Sequence, residues 1–362
     1  MLAQESSSPW SGDQVAVGVS GHSAPYVRGR MSSFFRLQYQ VSTAAMDAEP
    51  RPLYRANRYQ LHLGQNLRLQ KGLSLGLAGT FSRGIEENQI GAFAAQEFRL
   101  RFMRGLETFT RTAFQSFTRN QFQEEWALQL HAQQQWGKEG FVFLVLGRAQ
   151  KTFQIRDGIA FPLDAGSGRQ ETFRLQGGLQ RHLSPGTYQQ ELRATLQNGN
   201  GLDPLFQAVN FLHAQREVAG VHLWRNRRQT ALYRFDWQWW AQEQEDIAAG
   251  AIRHFSVTTL ETAASFSLVT IGRSTLLAGP QLGLSLPGAS QFPDPTSEVG
   301  RFLQQPDLLF YGQQHVTGGV AFTWLWQNLN KDAFSLDLAV AHRQQPKHAF
   351  TQYRIQLNYL LY

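Results

Sequence analysis

Apolar and polar residues alternate along most of the chain, most clearly near its C-terminal end. From 353 to 361 the odd positions carry tyrosine, isoleucine or leucine, whereas Arg354, Gln356 and Asn358 occupy even positions. A period of two is the pattern of a β-strand with one apolar and one polar face. Comparable segments recur from Ser32 onward. The pattern predicts an all-β protein made of two-faced strands.

Short turns and longer polar segments separate these strands in alternation. Most of the short ones contain Gly, Lys or Asn, as hairpin connections do; they are 70–72, 104–106, 137–140, 183–186, 227–229, 270–273 and 328–332. The longer ones are 42–53, 84–95, 118–123, 156–170, 199–215, 242–250, 287–313 and 345–349. A transmembrane barrel has this order, because its periplasmic turns are short and its extracellular loops are long. We therefore predict a transmembrane antiparallel up-and-down β-barrel of about 16 strands, within a range of roughly 14 to 18.

The N-terminal stretch differs in composition from the rest. Residues 1–30 are rich in Ser, Gly and Pro, which predicts a loose segment that lies in the periplasm or is tucked into the barrel. Alternating valines leave open an additional strand at Val15–Ser20. We assign residues 31–362 to the barrel.

The composition favours a membrane barrel over other classes. No run approaches the ~20 apolar residues that a spanning helix needs. Charged residues make up 17% of the chain and aromatic residues 12%, whereas soluble domains carry about 25% charged residues. We therefore predict the outer membrane as the location, and its lipids, including lipopolysaccharide, as partners. The alternative is a soluble sandwich or propeller, but a propeller would repeat every ~40–50 residues and the sequence shows no such repeat.

Charged residues at polar positions of the strands are the predicted lumen wall. They are Arg68, Arg99, Arg101, Arg174, Glu191, Arg193, Arg234, Asp236 and Arg354. The net charge of +7 comes mainly from arginine, which favours anionic or polyhydroxylated solutes. The alternative is that acidic and basic residues pair and fill the interior. The arginines are spread along the chain rather than massed in one patch, so we expect no nucleic-acid partner.

Two further sets of residues are assigned to surfaces. Aromatic residues near strand ends predict a girdle at the membrane–water boundary; they are Tyr233, Trp237, Trp239, Trp324, Trp326 and Tyr359. The longest polar segment, 287–313, contains apolar residues that predict contact with a partner; they are Phe302, Leu303, Leu308, Leu309, Phe310 and Tyr311.

The sequence contains no recognisable catalytic motif. Cysteine is absent, and the ten histidines are scattered. His182, His222 and His254 have no ligand-like neighbour two or four positions further along the chain. We expect no cofactor, no metal site and no enzymatic activity.

The alternation from Ser32 to Tyr362 resembles that of Gram-negative outer-membrane β-barrels. The segments APYVRGRMSSFFRLQYQ and LSLGLAGTFSRGIEENQIGAF are similar to a Bacteroidota family of barrels of unknown function that occur beside TonB-dependent uptake genes. This resemblance implies an accessory barrel in an uptake complex, with a TonB-dependent receptor or a surface lipoprotein as partner.

Three functions follow from these observations. The first is a channel or an accessory barrel subunit of an outer-membrane solute-uptake complex. The second is a plugged scaffold barrel that binds a lipoprotein or receptor through its loops. The third, which has less support, is an outer-membrane hydrolase.

Overall fold

The computed structural model describes fifteen stretches of the chain: residues 2–3, 10–46, 53–70, 72–90, 100–103, 109–113, 117–137, 139–158, 163–204, 207–226, 230–271, 274–294, 312–327, 333–344 and 349–360. Their regular secondary structure is β-strand throughout. The described residues include no helix long and apolar enough to cross a membrane.

The strands are numbered in chain order: β1 (Leu2–Ala3), β2 (Trp10–His22), β3 (Met31–Met46), β4 (Leu53–Gln70), β5 (Leu73–Ile90), β6 (Leu100–Met103), β7 (Phe109–Ala113), β8 (Phe117–Trp136), β9 (Gly140–Asp157), β10 (Leu163–Leu183), β11 (Gly186–Asp203), β12 (Ala208–Asn226), β13 (Ala231–Asp246), β14 (Ala251–Ile271), β15 (Ser274–Gln291), β16 (His315–Gln327), β17 (Ala333–Gln344) and β18 (Ala349–Leu360).

Fifteen of these strands form one antiparallel sheet with an almost sequential order. The order runs from β2 through β3, β4 and β5 to β8, and then strand by strand to β18. The prediction of an all-β antiparallel architecture is confirmed. Among the described residues this sheet has fifteen strands, which lies within the predicted range of roughly 14 to 18. A count of 16 is not confirmed, and the hydrogen-bonded order ends at β2 and β18.

The segment between β5 and β8 leaves this sheet. Ile90 pairs directly with Phe117, while β1, β6 and β7 form a separate three-stranded sheet. Arg101 lies in β6 opposite Ala3 and Thr112, which corrects its assignment to a wall strand. Arg99 lies outside the described residues. Alternation around these arginines indicated a two-faced strand, but alternation does not select the partner of a strand.

The two edges of the large sheet differ in their connections. We call one the turn edge; it holds the connections 23–30, 71–72, 137–139, 184–185, 227–230, 272–273 and 328–332. We call the other the loop edge; it holds 47–52, 91–116, 158–162, 204–207, 247–250, 292–314 and 345–348. Only 91–116 and 292–314 are long connections at the loop edge.

Several segments expected to be loops or loose are strands. β8 runs through 118–123, and β11 and β12 take up most of 199–215. Trp10–His22, within the segment expected to be loose, pairs with β3 along its whole length. Strands of up to 21 residues exceed the ~9–11 that cross a bilayer, so their polar ends extend past any apolar band.

The pairing register keeps apolar and polar residues on opposite faces of the sheet. Leu61 faces Leu37 and Phe81, and Phe81 faces Trp126. The adjacent row joins Gln38, Gln60, Ser82 and Glu125 in the same four strands. Because paired residues lie on the same face, we call these the apolar face and the polar face.

Candidate functional site

The apolar face exposes large side chains on strand after strand. Val17 is 68% exposed and Trp126 is 62% exposed, and leucines of β4, β5, β8 and β9 are similarly open. This arrangement is the reverse of a soluble sandwich, in which such residues pack into a core.

Aromatic residues on the apolar face cluster near the turn edge. The ring centroids of Trp224 and Tyr233 lie 5.4 Å apart, and Phe266 follows 5.7 Å from Tyr233. Trp136 ends β8 at the same edge. The predicted girdle did not include Trp136, Trp224 or Phe266, although all three lie within a few residues of a short turn, where a girdle was expected.

The predicted girdle residues occupy two levels of the sheet. Tyr233 and Trp324 lie close to the turn edge, whereas Trp237 and Trp239 lie farther along β13. Trp326 and Tyr359 each pair with Phe334, so they share one row near that edge.

A polar cavity of about 190 Å³ lies on the polar face between β3 and β9. Arg58 Nη2 lies 2.8 Å from Glu125 Oε2 and donates a hydrogen bond to Ser82 Oγ at 3.0 Å. Lys151 is the register partner of Glu125, and Glu86 accepts a hydrogen bond from Gln123. We call this the Arg58 cavity; its lining is Gln40, Ser42, Tyr54, Ala56, Asn57, Arg58, Ser82, Gly84, Glu86, Gln123, Glu125 and Lys151.

The charges in the Arg58 cavity balance. Arg58 and Lys151 carry two positive charges, and Glu86 and Glu125 carry two negative charges. The Arg58 and Glu125 side chains remain 50% and 30% exposed, so both can bind a further group. A site of this kind offers closely spaced donors and acceptors without a strong net field, which suits hydroxyl groups better than an anion.

Predicted wall residues in the described strands lie on the polar face. Arg68, Arg174, Glu191, Arg193, Arg234 and Asp236 all share the parity of their strands' polar residues. For Arg354 only the backbone register is described, in which it pairs with Ala339. Arg193 forms an ion pair with Glu217. Arg234 Nε lies 2.6 Å from Asp236 Oδ2. Gln176 Nε2 donates a 2.9 Å hydrogen bond to Glu191 Oε1. Arg193 and Arg234 therefore make the acid–base contacts of the alternative interpretation; the Arg193 contact joins β11 to β12, whereas the Arg234 contact lies within β13.

Several residues of the polar face are buried near the loop edge. Arg119 bonds Asp157 through Nε–Oδ1 at 2.8 Å and Nη2–Oδ2 at 2.9 Å, and both side chains are nearly buried. Phe255 is 1% exposed; its ring is edge-on to Trp240 at 5.1 Å and stacked on Phe292 at 5.8 Å.

Hydrogen bonds also fix the 247–250 turn, which joins β13 to β14 at the loop edge. Asn210 Oδ1 accepts from the backbone N–H of Ala248 at 3.1 Å, and Asp246 Oδ1 accepts from Ala249 at 3.2 Å. Asp246 is fully buried, at 0% exposure. We call Arg119, Asp157, Asn210, Asp246, Arg253 and Phe255 the packed edge.

The residues of the Arg58 cavity were not selected from the sequence. In β4 the residues Arg58, Gln60 and His62 alternate with Tyr59, Leu61 and Leu63, so the polar face could have been assigned. The partner of Arg58 lies 67 positions away in β8, and alternation contains no information about that pairing.

Two further predictions concern a metal site and the partner loop. Within the described ranges, no cluster of His, Asp or Glu has the arrangement of a metal site. The predicted partner residues Phe302, Leu303, Leu308, Leu309, Phe310 and Tyr311 lie outside the described residues.

The comparisons with known proteins give a family and a set of structural likenesses. The chain belongs to the family of unknown function DUF6850, whose model matches residues 2–361. No curated protein sequence matches the chain.

Three solved structures are similar to parts or all of the sheet. The translocator domain of the autotransporter NalP from Neisseria meningitidis is 9% identical, with a TM-score of 0.33 over 92% of this chain and 88% of that one. The ferric citrate transporter FecA is 10% identical, with a TM-score of 0.48 over 96% of this chain and 62% of the other. BamA from Haemophilus ducreyi, lacking POTRA domains 1–3, is 9% identical, with a TM-score of 0.36 over 96% and 70%.

Proposed function

We propose that this member of a family of unknown function is an outer-membrane β-barrel that acts as a channel, or as an accessory barrel subunit, in the uptake of polyhydroxylated solutes. The exposed apolar face supports the location. Contact of such a face with water costs about 25 cal/mol per Å², and contact with lipid removes that cost. With the apolar face against lipid, and with short turns on the periplasmic side as in other barrels, the turn edge faces the periplasm and the loop edge faces the cell exterior.

The Arg58 cavity carries the proposal for the solute class. Arginine excess alone favoured anionic or polyhydroxylated solutes, but Arg58, Arg193 and Arg234 each contact a carboxylate. Pairing cancels much of the field that would attract an anion. The exposed donors and acceptors that remain are suited to hydroxyl groups, because each hydroxyl both donates and accepts.

Conductance and solute permeation of the purified protein test this proposal. We expect ion conductance in planar bilayers and swelling of proteoliposomes in neutral sugars that is faster than in an organic anion of similar size. Arg58→Ala should slow sugar entry. The control is Arg55→Ala, which removes an arginine that pairs with Glu87 on the opposite face. If the purified protein conducts no ions in planar bilayers and admits no sugar into proteoliposomes, the proposed channel function is wrong.

The packed edge favours a second candidate, the plugged scaffold barrel. Arg119, Asp157 and Phe255 fill space on the polar face, where an open pore needs water. A scaffold would be silent in bilayers and would co-purify in mild detergent with a TonB-dependent receptor or a surface lipoprotein. Replacing Phe310 and Tyr311 by serine should then release the partner. Isolation of the wild-type chain alone would contradict this role.

A further inference from the structure

The apolar face ends at a row of charged residues on the loop-edge side. Along β9 the outward residues change from Leu144 and Leu146 to Arg148 and Gln150. The same change occurs between Trp126 and Glu124 on β8. The neighbouring strands β5 and β10 also carry charged residues on the loop-edge side of the apolar face. We call these residues the charged border; its members are Arg83, Glu124, Arg148, Arg169 and Glu171. Arg148 pairs with Leu128 and so lies nearer the turn edge than Glu124.

A groove of about 480 Å³ opens on the apolar face at this border. Its floor is Gly79, which pairs with Leu63 on one side and Leu128 on the other. A Cβ built at Gly79 would have only one neighbour, the Ala127 carbonyl oxygen at 4.0 Å. The missing side chain therefore creates the depression. One wall is formed by Phe81 and Trp126, whose ring centroids are 4.3 Å apart.

The β9 side of the groove is basic. Arg148 lines it, and its side chain is 59% exposed. The Arg148 guanidinium carbon lies 5.3 Å from the centroid of the Phe173 ring, which holds the side chain over the sheet. Glu171 Oε2 lies 3.5 Å from Arg148, and the same carboxylate binds Arg169. One carboxylate between two guanidinium groups leaves a net positive charge.

We infer that this groove binds the lipid A part of lipopolysaccharide, with an acyl chain over Gly79 and a phosphate on Arg148. This inference rests on the proposed outer-membrane location. The groove joins an apolar cavity to an exposed guanidinium at the boundary where the acyl chains of a lipid meet its headgroup. Arginine binds phosphate in a bidentate manner. The loop-edge position places the site in the outer leaflet, in which lipopolysaccharide carries both the phosphates and the acyl chains.

Lipid titration of the full-length protein in detergent tests the inference. The probes are lipid A with two phosphates, dephosphorylated lipid A and phosphatidylglycerol, followed by native mass spectrometry. We expect phosphorylated lipid A to bind best. Arg148→Gln should weaken its binding about tenfold, as expected for the loss of one charge-assisted hydrogen bond. Arg148→Lys keeps the charge but loses the bidentate geometry, so we expect an affinity between those of the wild type and Arg148→Gln.

Two glycine substitutions form a matched pair. Gly79→Leu should fill the groove and weaken binding by a similar factor. Gly318→Leu is the control. Gly318 belongs to β16 and lies on the apolar face opposite Leu282 of β15, and a Cβ there would meet nothing within 4 Å. If Gly79→Leu does not fold, Arg148→Gln still tests the headgroup, since its side chain is exposed.

Three results overturn the inference. They are unchanged binding in both Gly79→Leu and Arg148→Gln, equal binding of dephosphorylated lipid A, and stronger binding of phosphatidylglycerol. Cell fractionation separates this failure from that of the proposed function. A chain absent from the outer membrane refutes the proposed location, whereas a chain that is present there and shows no phosphate-dependent binding refutes only the lipid site.

Discussion

The packed edge and the Arg58 cavity lie on the same face of one sheet, yet their ion pairs have different surroundings. Arg119 and Asp157 are nearly buried and share two short contacts. Arg58 and Glu125 share one 2.8 Å contact and remain half and one-third exposed. In the packed edge protein groups replace water, so each polar atom depends on its partner. In the cavity water can replace a partner, which leaves the same residue types available to a solute.

Removal of the buried aromatic ring should have the largest effect on stability. Phe255→Ala deletes a side chain that contacts Trp240 and Phe292. We expect the free energy of unfolding to fall by about 3–5 kcal/mol, because a buried cavity remains. Urea unfolding in lipid vesicles measures it. The control is Phe235→Ala on the apolar face, where the ring is 41% exposed. An equal loss in both variants would contradict the existence of a packed edge.

Disruption of the buried ion pair should have the next largest effect. Asp157→Asn removes the carboxylate that accepts two hydrogen bonds from Arg119 in a buried site. We expect a loss of about 3 kcal/mol in the free energy of unfolding. Under the same urea conditions, a loss below about 1 kcal/mol would show that this pair is solvated like a surface pair.

Disruption of the open ion pair should change stability least and selectivity most. Glu125→Gln should cost less than about 1 kcal/mol, since the pair is exposed. It leaves Arg58 and Lys151 opposite Glu86 alone, which gives the cavity a net positive charge. We expect the reversal potential in a salt gradient to shift toward anions. Glu171→Gln, on the apolar face, should leave the reversal potential unchanged. If Glu125→Gln also leaves it unchanged, the Arg58 cavity does not line an ion path.

The alternation of apolar and polar residues predicted the two faces of the sheet, because successive side chains of a strand point to opposite faces. Leu61 and Leu63 on one face of β4, and Arg58 and Gln60 on the other, could be read from the sequence. The same rule could not predict that β6 leaves the sheet, since Leu100 and Phe102 alternate with Arg101 as wall residues do. Partner choice depends on pairing between segments that are distant in the chain.

Strand ends and contacts between strands could not be obtained from the sequence. The polar stretch 199–215 has the composition of a loop, but hydrogen bonds between β11 and β12 extend through most of it. Whether an arginine attracts a solute or neutralises a carboxylate depends on the strand beside it. Arg119 and Arg58 have similar polar neighbours in the sequence, and only the surrounding strands separate a buried pair from an accessible one.

The number of strands in the large sheet constrains how a wall of this kind could close. In an antiparallel order of fifteen, the first and last strands run in the same direction. A seam formed by β2 and β18 would therefore be a parallel ladder, with slanted hydrogen bonds that are slightly less stable per residue than antiparallel ones. Such a seam would be the part of the wall that separates with least resistance, both when the last strand is added during assembly and when the wall is strained.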